Sequence, residues 1–190
     1  LLSNNIYQTL FYFTHIFMMV CSTVVNLLFM KEEEDKIIKK MANTDSLTNI
    51  PNRNGFSLKG ISLLDECREK NLPVALLFLD IDNFKNINDH YGHLFGDEVL
   101  ISFAHLLKEN TAQSDLLCRY GGEEFIMVLY NKGQQEAMEV ALKIMKDISE
   151  EKFPKKPDFY FTFSIGLVTT IHKAKITLNE LIYKGDIAMY

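Results

Sequence analysis

The chain contains no tryptophan, only four prolines, nine glycines and three cysteines among its 190 residues. So few prolines and glycines exclude a collagen-like or low-complexity chain. Cys21, Cys67 and Cys118 stand far apart without metal-ligand spacing, and an odd number leaves one unpaired, which argues against a secreted disulfide framework. A reducing compartment for the polar part follows. The formal charge of −5 with 24% charged residues excludes disorder and a basic tail, so no nucleic-acid partner is expected. The most telling absence is local. Residues 1–30 hold no Lys, Arg, Asp or Glu, so all 20 basic and all 25 acidic side chains lie beyond them.

Within that uncharged start, Leu10 to Met30 is a 21-residue stretch with 16 apolar residues. As a helix rising ~1.5 Å per residue it would be about 32 Å long, the thickness of a bilayer's hydrocarbon core. We read residues 1–30 as a transmembrane helix at the end of a longer membrane region. A buried core helix would rarely run so far without a charge, and a signal peptide would need a basic start and a small-residue cleavage site. Thr14, His15, Ser22, Thr23 and Asn26 interrupt the stretch as polar groups that neighbouring helices would satisfy. Beginning at Leu-Leu, the chain reads as part of a longer protein with a sensor region or further spans ahead of it. Residues 31–42 then open with KEEEDKIIKK, whose mixed charge orients a span only weakly. Met30, Ile37, Met41 and Thr44 form a short apolar seam, consistent with a charged linker helix that pairs with its own copy, although a solvated helix has the same pattern.

Residues 43–190 divide at their turn signals. A polar, turn-rich segment from Asn43 to Gly55 precedes a helical pattern to about Lys70. Val74 to Leu79 is a short apolar run that reads as a buried strand. Gly92 to Glu109 is helical. Leu116 to Tyr120 and Phe125 to Tyr130 flank Gly121-Gly122 as a β-hairpin. A helix over about Gly133 to Glu151, a strand over Phe159 to Thr170 and a last helix from Thr177 complete the series. Strands interleaved with helices in this order predict an α/β (α+β) fold with a mixed central sheet flanked by helices.

Two segments carry chemistry. In LDIDNFKNINDHYGHLFGD, Leu79 to Asp97, Asp80 and Asp82 lie two residues apart at the end of the buried strand, so both carboxylates face one side. They would repel unless a cation joined them, and oxygen ligands with free positions suit Mg2+. Asp82 is the better candidate for a plain helix-capping role. In RYGGEEF, Arg119 to Phe125, two glycines place Glu123 and Glu124 at the hairpin tip, and strand alternation lets one of them join Asp80 unless the turn twists both round. Cys67 and Cys118 read as packed thiols, and His90, His105 and His172 as surface groups.

Together these segments resemble the GGDEF family of diguanylate cyclases, with the signature written GGEEF at Gly121 to Phe125. The resemblance covers about residues 43–190. Asp45 to Arg53, DSLTNIPNR, is similar to the family's opening motif DxLTxLxNR; Ser164-Ile165-Gly166 resembles a later strand and Asp186 to Tyr190 the start of its terminal helix. The resemblance implies a palm-like nucleotidyl cyclase domain that condenses two GTP into cyclic di-GMP with release of two pyrophosphates. It implies Asp80, Glu123 and the Ile81 carbonyl as Mg2+ ligands, with Mn2+ an alternative, and Glu123, together with a less defined Glu124, as catalytic groups. Asn88 and Asp97 match guanine-reading positions, His93 another substrate contact, and the turn at Phe84 and Lys85 a phosphate contact. A carboxylate accepts from the N1–H and N2–H₂ edge of guanine while an amide donates to O6 or N7, a pattern adenine reverses. Two copies must meet to build a two-fold product, which implies a homodimer. A bacterial inner membrane location with the catalytic part in the cytoplasm is also implied.

Two departures stand out. Family members often carry an RxxD product-binding motif before the signature; here Asp115 occupies the Asp position but Ala112 the Arg position, so product inhibition should be weak. The chain also ends at Tyr190, before the basic residues of the family's last helix, and reads as truncated there. The competing readings are a degenerate GTP-binding or dimerisation module and a cyclase that forms a mononucleotide ring.

Overall fold

A computed structural model describes residues 2–154, 156–170 and 176–189, with side chains from Leu10 onward. His172 and Tyr190 lie outside the described residues. The chain forms two compact units, Leu1–Ala42 and Asn43–Tyr190.

In the first unit, helix α1 (Leu2–Asn43) runs without a break for 42 residues. The expected span and charged linker are therefore one helix with no joint between them. The cause is compositional, since no Gly or Pro precedes Pro51 to interrupt the backbone ladder. The portion from Leu10 onward is long and apolar enough to cross a membrane, with mean hydropathy 1.8 in its most apolar window. Thr14 donates to the Phe11 carbonyl at 2.9 Å and Thr23 to the Met19 and Val20 carbonyls at 3.0 and 2.8 Å. These hydroxyls are thus satisfied within their own helix and need no neighbouring one.

The second unit contains α2 (Arg53–Lys70), β1 (Val74–Ile81), α3 (Phe84–Tyr91), α4 (His93–Glu109), β2 (Leu116–Arg119), β3 (Glu124–Tyr130), α5 (Gln134–Glu150), β4 (Phe163–Thr170) and α6 (Leu178–Met189). The strands form one sheet in the order β2-β3-β1-β4. Each neighbouring pair is antiparallel, which corrects the mixed sheet expected from the sequence. Strand–helix–strand connections do join parallel strands, β1 with β2 and β3 with β4. A further strand is interleaved within each such pair, so no parallel neighbours arise. The last strand begins at Phe163 rather than Phe159, and α3 is a separate short helix ahead of α4.

Helices cover both faces of the sheet, which explains why Val74 to Leu79 is apolar at every position rather than alternating. Ala75, Leu77, Leu79 and Ile81 pack with α4 and α5, where Phe103 meets Phe125 edge-on at 5.0 Å. Val74, Leu76 and Phe78 face the other way, toward Leu63, Leu64, Leu181 and Ile182 of α2 and α6. By the same alternation Asp80 and Glu124 lie on the α2/α6 side of the sheet end. Gly166 on β4 lets α6 close onto the sheet, because a Cβ there would collide with the Gly185 carbonyl. That close approach brings the start of the Asp186 turn beside the ends of β1 and β3.

Candidate active site

Asp80 sits at the end of β1, directly across from Glu124 on β3 and Ser164 on β4. The ladder continues one step further, with the Ile81 N–H donating to the Glu123 carbonyl at 3.4 Å. Burial, and then the charges of Glu123, Glu124, Asp82 and Asp186 in that order, push the Asp80 carboxyl up to about 6. Glu123 thus weighs more on Asp80 than Glu124 does, although Glu124 is its register partner. Glu124 explains the difference by folding back so that its carboxylate lies over Gly121, in space a side chain there would fill. Its carboxyl is also held above the usual range, by burial and then by Asp186 and Glu123, with Arg53 opposing. The turn therefore brings both glutamates to bear on Asp80, the exception that strand alternation left open. Neither glycine of the signature has a positive φ, so conformational freedom is not what Gly121 provides; clearance beneath Glu124 is.

Among the described residues no three acidic, His or Cys side chains form a ready-made metal cage. An oxygen-only, mutually repelling donor set still fits Mg2+, which takes one or two carboxylates and completes its shell with water and phosphate. Asp82 does not cap α3; that position is Asn83, in the left-handed conformation with φ 55°. Instead Asp82 accepts from Thr162 Oγ1 at 2.6 Å and Ser164 Oγ at 2.7 Å, while its N–H donates to the Thr162 carbonyl at 3.0 Å. It ties the end of β1 to the approach of β4 and so fixes the strand end that carries Asp80 and Ile81.

The glutamate hairpin is braced by the opening motif, a role the sequence did not expose. Arg119 donates through Nε and a terminal nitrogen to the Gly122 carbonyl at 3.0 and 2.7 Å, and through its other terminal nitrogen to Asp45 Oδ1 at 3.0 Å. Burial raises the Asp45 carboxyl, but bonds from the Thr48 hydroxyl and N–H and then the Arg119 guanidinium outweigh it, leaving a net shift below the usual range. Asn52 caps α2 by accepting from the Gly55 N–H at 3.0 Å, and the Arg53 guanidinium stands 4.5 Å from the centre of the Tyr120 ring. That a turn segment and a hairpin 74 residues apart form one bonded unit was not readable from either segment alone.

Of the expected substrate contacts, Asn88 is half-buried on α3 and its amide oxygen presses on Gly96, next to the half-buried Asp97 on α4. Gly96 thereby allows the two helices to bring Asn88 near Asp97. Lys85 and His93 are exposed. Phe84 is buried in the core, so its side chain cannot meet a phosphate; only its backbone and Lys85 remain for that task. Asp115 is the buried acid of the described residues. It accepts from the Tyr130 and Ala112 N–H groups at 2.9 and 3.1 Å and pairs with Lys132 at 3.0 Å. Cys67 and Cys118 are buried free thiols, both pushed above their ordinary range chiefly by that burial, and His90 and His105 are exposed.

An antiparallel sheet of this order, with helices on both faces and acids gathered at the ends of its central strands, defines an α+β domain with an acidic candidate site at one sheet end. The profile described as "Diguanylate cyclase, GGDEF domain" matches residues 42–190, and the chain belongs to that family. It is 36% identical over 154 residues to the response regulator PleD of Caulobacter vibrioides, covering 80% of this chain and 34% of that protein. It is 35% identical over 157 residues to diguanylate cyclase A of Treponema denticola, covering 80% and 42%. The chain thus spans well under half the length of these curated relatives. Among solved structures, the active GGEEF domain of a diguanylate cyclase from Vibrio cholerae is similar with a TM-score of 0.68 and 29% identity, covering 73% of this chain and 88% of that one. The coiled coil and GGDEF domain of DgcB from Caulobacter crescentus shares the fold with a TM-score of 0.80 at 24% identity, covering 90% of each.

Two outcomes follow from this geometry. Arg119→Leu should release the hairpin, raising amide exchange at residues 121–123 on the order of tenfold while the core amides keep their protection, as read by hydrogen–deuterium exchange. The raised Asp80 carboxyl has the opposite sign from an ion-paired one. Between its ordinary value of 3.8 and about 6 the folded state binds the extra proton, so metal-free stability is lost as pH rises through about 6. Asp80→Asn should therefore melt about 2–4 °C higher than the parent at pH 7.5 in chelator, allowing for solvent screening, with the gap closing at pH 4.

Proposed function

We propose that the Asn43–Tyr190 unit is a diguanylate cyclase that condenses two GTP into cyclic di-GMP and two pyrophosphates, as one half of a homodimer. The observation that carries this reading is the gathering of Asp80, Glu123 and Glu124 around one sheet end, in a chain of the GGDEF family. Asp80, Glu123 and the Ile81 carbonyl would hold Mg2+ or Mn2+, which would supply the positive charge that lets an all-carboxylate site accept a triphosphate and release pyrophosphate.

The chain's own residues do the rest. Asp97 accepts from the guanine N1–H and N2–H₂ edge, and Asn88 donates to its acceptor side, so ATP would leave a buried pair unmatched and be rejected by several kcal/mol. Lys85, the backbone at Phe84 and the exposed His93 steady the triphosphate and ribose. Glu123 takes the proton from the attacking 3′-hydroxyl, and Glu124, lying over Gly121, supports the hairpin's electrostatics. Each protomer presents one GTP to its partner so that each 3′-hydroxyl lies in line with the opposite α-phosphate. The N-terminal helix anchors the protein in a bacterial inner membrane, with the catalytic unit in the cytoplasm. Its continuation through residues 31–42 sets the placement of two catalytic units.

Incubating the purified protein with GTP and Mg2+ and separating the nucleotides tests the reading. Cyclic di-GMP is expected; GTP retained unchanged would leave a binding or dimerisation module, and cyclic GMP a different cyclase. Asp97→Ala should raise KM for GTP by about 10²-fold and narrow the preference over ATP. Because Asp115 is committed to Lys132 and two backbone donors and Ala112 offers no guanidinium, added cyclic di-GMP should leave initial rates within about twofold. Potent noncompetitive inhibition would contradict that expectation.

A further inference from the structure

A cleft of about 390 Å³ lies between α3 and the segment 158–162, on the side of α3 away from Asn88 and Asp97. That volume is within the range of small-molecule sites. None of the residues assigned above to metal or guanine lines it. Its walls hold the carboxylates of Asp82 and Asp158, the amide of Asn86 and the rings of Tyr91, Phe159 and Tyr160, with no lysine or arginine and His90 as the one basic group. Tyr160 is 82% exposed, and Tyr91 is 44% exposed while its ring also packs on Phe95 and Phe159 at 5.2 and 5.3 Å, so ring surface stands open at the rim.

We propose that this cleft binds a small organic cation, an alkylammonium or guanidinium group. Aromatic faces attract such cations through the ring quadrupole, and two carboxylates beside them add charge of the complementary sign. The molecule already makes one contact of this kind here. The Lys156 ammonium stands 5.4 Å from the centre of the Tyr91 ring. An anionic ligand would face the carboxylates of Asp82 and Asp158 with only His90 and the Lys156 ammonium to offset them, and a neutral apolar one would bring no charge to balance the two carboxylates. Asp82 keeps its bonds to Thr162 and Ser164 in this arrangement, so it contributes its charge without leaving its structural post.

The source of the cation is either a free amine or an arginine side chain of another protein, and calorimetric titration of the full chain in detergent micelles separates them. The probes are spermidine, N-acetyl-arginine methylamide and the neutral 1,8-octanediol, at constant Mg2+ and pH 8. Saturable binding of a cationic probe without binding of the diol is expected; tighter spermidine points to a free amine and tighter arginine amide to a partner's side chain. Tyr160→Ala and Asp158→Asn, both exposed positions, should each weaken that binding by about fivefold or more with the far-ultraviolet circular dichroism unchanged. Affinity unaltered in both variants would assign the binding to general attraction by an acidic surface and overturn the proposal. So would the lack of any saturable binding below about 10 mM.

Discussion

Mutual repulsion among carboxylates is the constraint on which the second unit is organised. Asp80, Glu123, Glu124 and Asp186 are held near one another by elements that have nothing to do with charge: two adjacent strands, a hairpin and a helix closing over Gly166. Left alone, such a group raises its own proton affinity and weakens the fold at neutral pH. A sheet with apolar cores on both faces supplies the stability that makes the arrangement tolerable. In the proposed function, this repulsion is what a divalent cation would relieve.

Holding repelling groups in place requires bracing, and the braces are polar and specific. Asp82 gathers two hydroxyls from the approach to β4, and Arg119 links the Gly122 carbonyl to Asp45. In both cases a charged side chain within a motif segment is spent on geometry. Asp115 follows the same rule at the far end of the hairpin, where Lys132 and two backbone N–H groups take its lone pairs. An acid saturated in this way is a structural post, whatever its position in a motif implies.

The unbroken α1 has a mechanical meaning for the proposed dimer. An apolar helix that continues without a joint into a charged segment can carry a rotation or translation over its whole length, because backbone hydrogen bonding persists throughout. The charged stretch adds pairs such as Lys36 with Glu32 and Glu33 at 3.0 and 3.1 Å, which are worth little individually but favour the helical state where apolar packing ends.

Much of this was legible in the amino-acid order. The apolar start, the buried strand ending in Asp80, the hairpin at Gly121-Gly122 and the helices between them all follow from periodicity and turn chemistry, which act over a few residues. The candidate metal and guanine groups could be named from their motifs. The sequence could not say that each strand–helix–strand connection leaves room for an interleaved strand, which turned the expected mixed sheet into an antiparallel one. Nor could it say that Phe84 would be core, that Asp82 would bind two hydroxyls, that Arg119 would reach Asp45, or that Asp186 would crowd Asp80. Those outcomes depend on contacts between residues tens of positions apart, and only the packed chain brings such groups within the few ångströms over which hydrogen bonds and charges act.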